Sequence, residues 1–239
     1  ALRTRGLHVR WLPWDDPATR DADVVILRAT WDYMDRLPEF LTWARSMRHL
    51  LNSADLVAWN VDKHYLSDLQ RLGVPTVPTR YFEAGESVAV PDGEVVVKPA
   101  GGAGSAGAQR FDDASAAAAH AAALQAQGRA VLVQPYDPRI ADGETALVFL
   151  NGEPSHAFTK GPILPPPGQA AEYDETGTYA AESLSPADPR LLELERIEPS
   201  LGVRQLDGGR RAEAERQFAL GVESALERFG LGPFSHRRP

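Results

Sequence analysis

Cysteine is missing altogether from the 239 residues. Disulfides, thiolate metal sites and cysteine nucleophiles are thereby excluded, and a reducing cytoplasm suits the composition. Long apolar runs are missing too. Nothing comes near the ~20 residues that a membrane-spanning helix needs, and the charged start of the chain has no apolar core of a signal peptide. The expectation is a cytoplasmic protein with no membrane partner. Basic excess is the third absence: 25 Lys and Arg stand against 33 Asp and Glu, a formal net charge of −8. A duplex-binding surface needs clustered positive charge, so no nucleic-acid partner is expected. A small polyanion stays open, because a few placed lysines neutralise it locally. The remaining balance, 43% apolar and 24% charged, is that of a globular chain with one large or two small domains.

The pattern along the chain is mixed. Val24, Val25, Ile26 and Leu27 form a short continuous apolar run, the mark of a strand buried on both faces. Phe40, Leu41, Ala44 and Met47 then recur at helical spacing. The spacing of Tyr65, Leu66, Leu69 and Leu72 predicts a second helix over 59–73, capped by Asn60 or Asp62 and stopped by Gly73. Pro75 and Pro78 force 74–79 to be extended. A strand is expected at 94–98, an extended piece at 108–111, and an alanine-rich helix from its Asp113 cap through Gln127. A further strand is expected at 130–134. Two more, at 145–150 and 155–159, are joined by Asn151-Gly152, a type I′ hairpin signal. Residues 161–189 hold many prolines and read as a mobile loop. Residues 191–197 alternate apolar and acidic side chains, as a half-exposed strand does, and 210–229 read as an amphipathic terminal helix. The fold class expected is α+β, with a first α/β domain over 1–57 and an antiparallel region over 58–239.

Gly102, Gly104 and Gly107 spell G-x-G-x-x-G after a strand, a weak match taken alone. In a dinucleotide-binding fold the third glycine opens a helix facing the pyrophosphate. Here Gln109, Arg110 and Phe111 intervene, so the loop reads as a hairpin tip that closes over phosphates with its backbone N–H groups. A Walker A loop is absent, and a flexible linker is the plain alternative. Lys98, at the end of Val95-Val96-Val97-Lys98-Pro99, argues against a mere linker, because a lysine suits a buried strand end when its ammonium meets an anion. A snorkelling side chain is its plainer reading.

Several segments taken in order resemble the ATP-grasp superfamily. The likeness is to the branch of RimK-like and glutathione-synthetase-like ligases that includes the ATP-grasp enzymes of cycloserine biosynthesis. Asn60-Val61-Asp62-Lys63 followed by Gly73-Val74-Pro75-Thr76-Val77-Pro78-Thr79 is similar to the family's first ATP-lysine helix and its exit. Val97-Lys98-Pro99 resembles the second ATP-lysine strand, and Val133-Gln134-Pro135-Tyr136 the hinge whose backbone meets adenine. Gly143-Glu144-Thr145 and His156-Ala157-Phe158-Thr159-Lys160 resemble the hairpin that follows, and Leu192-Glu193-Leu194-Glu195 the metal-binding strand. Arg28-Ala29-Thr30-Trp31-Asp32-Tyr33 fits the end of a strand in the N-terminal, pre-ATP-grasp domain.

The resemblance implies a carboxylate–amine ligase that uses ATP and Mg²⁺ on small-molecule carboxylate and amine substrates, as a homo-oligomer. It implies that Lys63 and Lys98 neutralise the α- and β-phosphates, and that the loop of Gly102, Gly104, Ser105 and Gly107 covers the β- and γ-phosphates. Gln134, Pro135 and Tyr136 would lie along the adenine, with Glu144 or Glu198 at the ribose. Glu193 and Glu195, two apart and so on one side of a strand, would hold the metal by hard oxygen ligands. Lys160 and Arg28 would hold the acyl phosphate or a substrate carboxylate. Each residue also has a plain structural reading: an exposed helix lysine for Lys63, a solvent face for the two glutamates, core aromatics for Trp31 and Tyr33.

The chain departs from the family pattern in three places. The family's opening strand has no counterpart before the first helix tail. The stretch 50–56 is short. The aspartate ligand carried by a strand just ahead of Glu-x-Glu is not found, since Asp188 is too near Glu193 and Pro189 intervenes. The proline-rich approach to Leu191 reads as a junction from which residues are missing. A nucleotide-binding module without ligase activity is the competing reading. A Rossmann oxidoreductase is disfavoured by the residues between Gly107 and the next helix.

Overall fold

Local signals decide much of the chain's course. Asn151 and Gly152 both take positive φ, 55° and 85°, as a type I′ turn requires, and they fold β7 (Glu144–Leu150) against β8 (Glu153–Lys160) as an antiparallel pair. The computed structural model describes residues 1–102, 104–161, 164–167, 179–180, 190–197 and 199–232, with the side chains of 179 and 180 left aside. Asp188, Pro189 and Glu198, singled out above, lie outside the described residues.

Four antiparallel strands make the central sheet: β3 (Arg80–Phe82), β4 (Val95–Pro99), β5 (Gln109–Phe111) and β6 (Val131–Pro135), in the order β3-β6-β4-β5. Successive side chains on a strand face opposite ways. Val95, Val97, Val131 and Val133 therefore meet Ala117, Ala121 and Leu124 of α4 (Ala114–Gln125), while Val96, Lys98 and Gln134 line the cleft behind the sheet. The carboxylate of Asp113 starts α4 by accepting from the N–H groups of Ser115 and Ala116, the N-cap expected of it. Beyond the sheet, β9 (Tyr179–Ala180) pairs antiparallel with β8. A strand thus occurs inside the stretch read from sequence as loop.

A separate core gathers the N-terminal residues. The short strands β1 (Val25–Ile26) and β2 (Leu50–Leu51) are parallel. On α1 (Leu37–Ser46), Phe40, Trp43 and Ala44 pack with Trp14 and Tyr33. Trp14 meets Phe40 edge to face, with ring centroids 5.3 Å apart, and its indole N–H donates to Asp32 at 2.8 Å, as a buried tryptophan's polar end requires. The long helix α5 (Gly208–Arg228) closes the chain against β7 and β8. Its fully buried Glu223 accepts two hydrogen bonds from the guanidinium of Arg5, at 2.6 and 2.9 Å.

Three expectations are corrected. The helix expected over 59–73 is two helices, α2 (Ala54–Asn60) and α3 (Tyr65–Arg71), with a break at 61–64. Ser53 rather than Asn60 caps the first. The break arises because the Lys63 N–H donates to Ala100 O at 2.8 Å, and Asp62 bridges Gly101, so this backbone serves a distant segment and not a helix. Residues 191–197 form no strand ladder among the described residues. Leu191 makes one parallel bridge to Thr76, and side chains hold the rest. Finally, Tyr33 is a core aromatic at 3% exposure, but Trp31 is 70% exposed and lines the cleft.

Candidate active site

Between the central sheet, the β7–β8 hairpin and the 191–205 segment lies a cleft of about 500 Å³. Lys98 reaches it from the end of β4, and Lys63 from the break between α2 and α3. The backbone of Lys63 is fixed at both polar groups, its N–H by Ala100 O and its C=O by the Tyr81 hydroxyl at 3.0 Å. Its buried ammonium donates to Gly102 O at 3.0 Å and meets Glu193 Oε1 at 3.1 Å. The two lysines therefore share one cavity with a carboxylate set among them.

The glycine loop is the tip of the β4–β5 hairpin, as its spacing indicated. Gly104 and Ser105 are both left-handed, with φ of 56° and 59°, and Gly107 follows at 79°. A side chain at Gly107 would also approach Pro99 and Leu124 to 3.3 Å, so only glycine suits that exit. Gly102, Gly104 and Ser105 line the cleft. Gly107 does not, and its role is to close the turn. Gln134 and Pro135 line it as well, the buried Gln134 amide donating to Thr79 Oγ1 at 2.9 Å. Tyr136 points elsewhere: its ring lies under the Arg110 guanidinium, 3.6 Å from the centroid, a cation–π contact beyond the cleft.

Glu144, Lys160, Glu193 and Glu195 complete the polar lining. Burial pushes the Lys98 ammonium below the usual lysine range, Glu193 opposes that push, and Lys63 adds to it. Burial also raises the Glu193 carboxyl, but Lys63 and Lys98 more than reverse the effect, and its pKa is lowered. Glu144 goes the other way, raised by burial and by the neighbouring Glu193 against the pull of Lys98 and Lys160. A buried lysine whose charge is under-compensated favours a bound anion. For a divalent cation the donors are Glu193 and Glu195; Glu195 Oε1 also accepts from the Ile197 N–H at 2.8 Å. Among the described residues no group of three acidic or histidine ligands occurs. Two carboxylates still fit Mg²⁺, which takes one or two together with phosphate oxygens and water.

At the other end of the cleft, Arg28 donates to Pro199 O at 2.5 Å and meets no carboxylate among the described residues. Burial lowers its pKa. Trp31 and Trp11, 70% and 75% exposed, and Arg204 also line the cleft. Sequence reading missed Trp11 and Arg204, which carry no spacing signal. It also missed the part played by Asn60, whose side-chain amide holds the 194–196 backbone from α2.

Comparisons with known proteins identify the family. Residues 1–52 match the model for the N-terminal domain of D-cycloserine synthetase DcsG. The cycloserine biosynthesis protein DcsG of Streptomyces lavendulae is 31% identical over 261 aligned positions, covering 87% of each chain. The crystal structure of D-cycloserine synthetase DcsG superposes with a TM-score of 0.81 at 28% identity, over 93% of this chain and 91% of that one. A D-alanine–D-alanine ligase from Bacillus anthracis, solved with ATP, shares the fold at a TM-score of 0.53 and 13% identity, over 87% and 82% of the two chains. With this order of segments, this mixed α+β architecture and these relatives, the chain belongs to the ATP-grasp ligases, in the family of DcsG.

Proposed function

We propose that the chain uses ATP and Mg²⁺ to join a carboxylate to an amine, on a small amino-acid-like or peptide substrate, through an acyl phosphate. The observation that carries this reading is the convergence of the Lys63 and Lys98 side chains, with Glu193 beside them, in one cleft roofed by a glycine hairpin. Phosphoryl transfer asks the protein for positioning and charge and for little covalent help. Lys63 and Lys98 supply the positive charge, and the loop of Gly102, Gly104 and Ser105 brings main-chain groups close to the phosphates without side-chain bulk. Glu193 and Glu195 hold the magnesium, which when bound neutralises charge on the phosphates. Gln134 and Pro135 form the purine end. Glu144 stands toward the ribose.

The acceptor end falls to the N-terminal unit of residues 1–57. Arg28 orients a carboxylate there, and Lys160 steadies the charge that develops on the transferred group. Binding of ATP by the Bacillus anthracis relative and the cycloserine role of DcsG support the nucleotide and the substrate class. The test is formation of ADP and phosphate with ATP, Mg²⁺ and a panel of small amino-acid-like carboxylates, with and without an amine acceptor. Turnover that needs both metal and acceptor is expected. Nucleotide binding with no turnover across the panel would favour the competing module.

A further inference from the structure

Glu193 and Glu195 reach the cleft on backbone that no neighbouring strand holds among the described residues, apart from the bridge at Leu191. In an extended chain the N–H and C=O groups of residues two apart share one edge, the edge that a pairing strand would occupy. Here side chains occupy it. The Leu194 N–H donates to the Tyr65 hydroxyl at 2.8 Å. Asn60 takes the middle of the edge, Nδ2 donating to Leu194 O at 2.7 Å and Oδ1 accepting from the Arg196 N–H at 2.9 Å. Asn52 finishes it, donating to Arg196 O at 2.8 Å. The four polar groups that flank Glu195 are thus all satisfied by a row of three side chains from α2, α3 and the turn before them.

Asn60 is 7% exposed, and its amide supplies one donor and one acceptor, as a peptide group of an adjacent strand would. No other side chain of that size and shape does both. Tyr65 is 2% exposed, and burial together with the charges of Glu193 and Glu195 keeps its hydroxyl protonated. Between these two residues in sequence stands Lys63, whose ammonium meets Glu193. One short unit, residues 60–65, therefore carries a phosphate lysine and also fixes the segment that bears both carboxylates.

We propose that Asn60, seconded by Tyr65, is the positioning residue of the metal site: it sets where Glu193 and Glu195 stand by occupying, with its side chain, the backbone edge at 194–196 that a pairing strand would otherwise take. The inference rests on the reading of those two glutamates as metal ligands. Groups bonded directly to a metal ligand are worth about ten- to hundredfold in metal affinity; Asn60 holds the main chain on both sides of Glu195, and an effect of up to that order is expected of it.

The test titrates Mn²⁺ onto the protein with a non-hydrolysable ATP analogue, followed by electron paramagnetic resonance, beside amide hydrogen exchange at Leu194 and Arg196. Asn60→Asp keeps the acceptor for Arg196 and turns the donor into an oxygen facing the Leu194 carbonyl. It should weaken Mn²⁺ binding by up to about ten- to hundredfold, although it adds a negative charge close by that would by itself attract the cation. Affinity for the metal-free analogue should stay near that of the parent. Tyr65→Phe should speed exchange at Leu194 and weaken Mn²⁺ in the same direction by less, and it decides the matter if Asn60→Asp does not fold. Glu193→Gln is the reference. Unchanged Mn²⁺ affinity in Glu193→Gln would overturn the metal reading itself. Loss of affinity there, with parental affinity in both Asn60→Asp and Tyr65→Phe, would overturn the positioning role alone.

Discussion

Two walls of one cleft are built by opposite means. The wall with Lys98 and the glycine hairpin is a β-ladder: β4 lies between β6 and β5, and α4 covers its far side. The wall with Glu193 and Glu195 has no ladder among the described residues and hangs from Asn52, Asn60 and Tyr65. A ladder shares its hold among many backbone bonds, so its geometry survives most single side-chain changes until the core fails. A segment hung on three side chains answers to each of them. The first wall is therefore tied to global stability, and the second to local placement.

That contrast can be tested from both sides. The largest effect on stability belongs to the ladder wall. Leu132 is fully buried opposite Lys98, and Leu132→Ala should cost about 2–5 kcal/mol by the cavity it leaves, read from denaturant unfolding. Gly202 comes next. It sits in the cleft wall at φ +57°, and a Cβ there would lie 2.2 Å from the buried ring of Phe158. Gly202→Ala should cost about 1–3 kcal/mol by overpacking, measured the same way. A smaller loss is expected for Asn52→Ala, which removes one hydrogen bond from the hanging segment. About 0.5–1.5 kcal/mol is expected, with faster amide exchange confined to the neighbourhood of Arg196. Exchange rising equally in β4 and β6 would erase the distinction between the walls.

The smallest effect is on pH. Burial raises the Glu193 carboxyl, and Lys63 and Lys98 bring it below its ordinary value. A depressed carboxylate contributes stability that is present above the unfolded pKa and lost as pH falls through the folded one. Stability should thus decline as pH drops below the ordinary glutamate value of ~4.3. Glu193→Gln should flatten that part of the curve, and an unchanged acid limb in thermal melts would contradict the coupling to the two lysines.

The same contrast decides what the sequence could reveal. The hairpin wall is written in near neighbours: three glycines at its tip, a proline after Lys98, Asp113 at the head of α4, and Asn151-Gly152 at the next turn. Each is a short-range rule, and each appears where its residues stand. The break at 61–64 is different, because apolar spacing runs on across it from Trp59 to Leu72 while the Lys63 N–H is taken by Ala100. Nothing local announces that bond. The alternation over 191–197 is real, with Glu193 and Glu195 turned into the open cleft and Ile197 buried, but alternation reports which way side chains face and not what holds the edge. Trp31 misled in the same way, since an aromatic residue fits a core or a cleft equally well by type. The resemblance carried Lys63, Lys98, Glu193 and Glu195 to one site where spacing alone had left each an alternative.

Nucleotide binding in this cleft depends on the paired ammonium groups of Lys63 and Lys98. Calorimetric titration of ATP into the parent protein, Lys63→Met and Lys98→Met tests it most directly. A charge-assisted hydrogen bond is worth about 1.5–3 kcal/mol, so each variant should bind ATP about ten- to a hundredfold more weakly while keeping a cooperative melt. Parental ATP affinity in both folded variants would contradict a nucleotide site built on these two lysines.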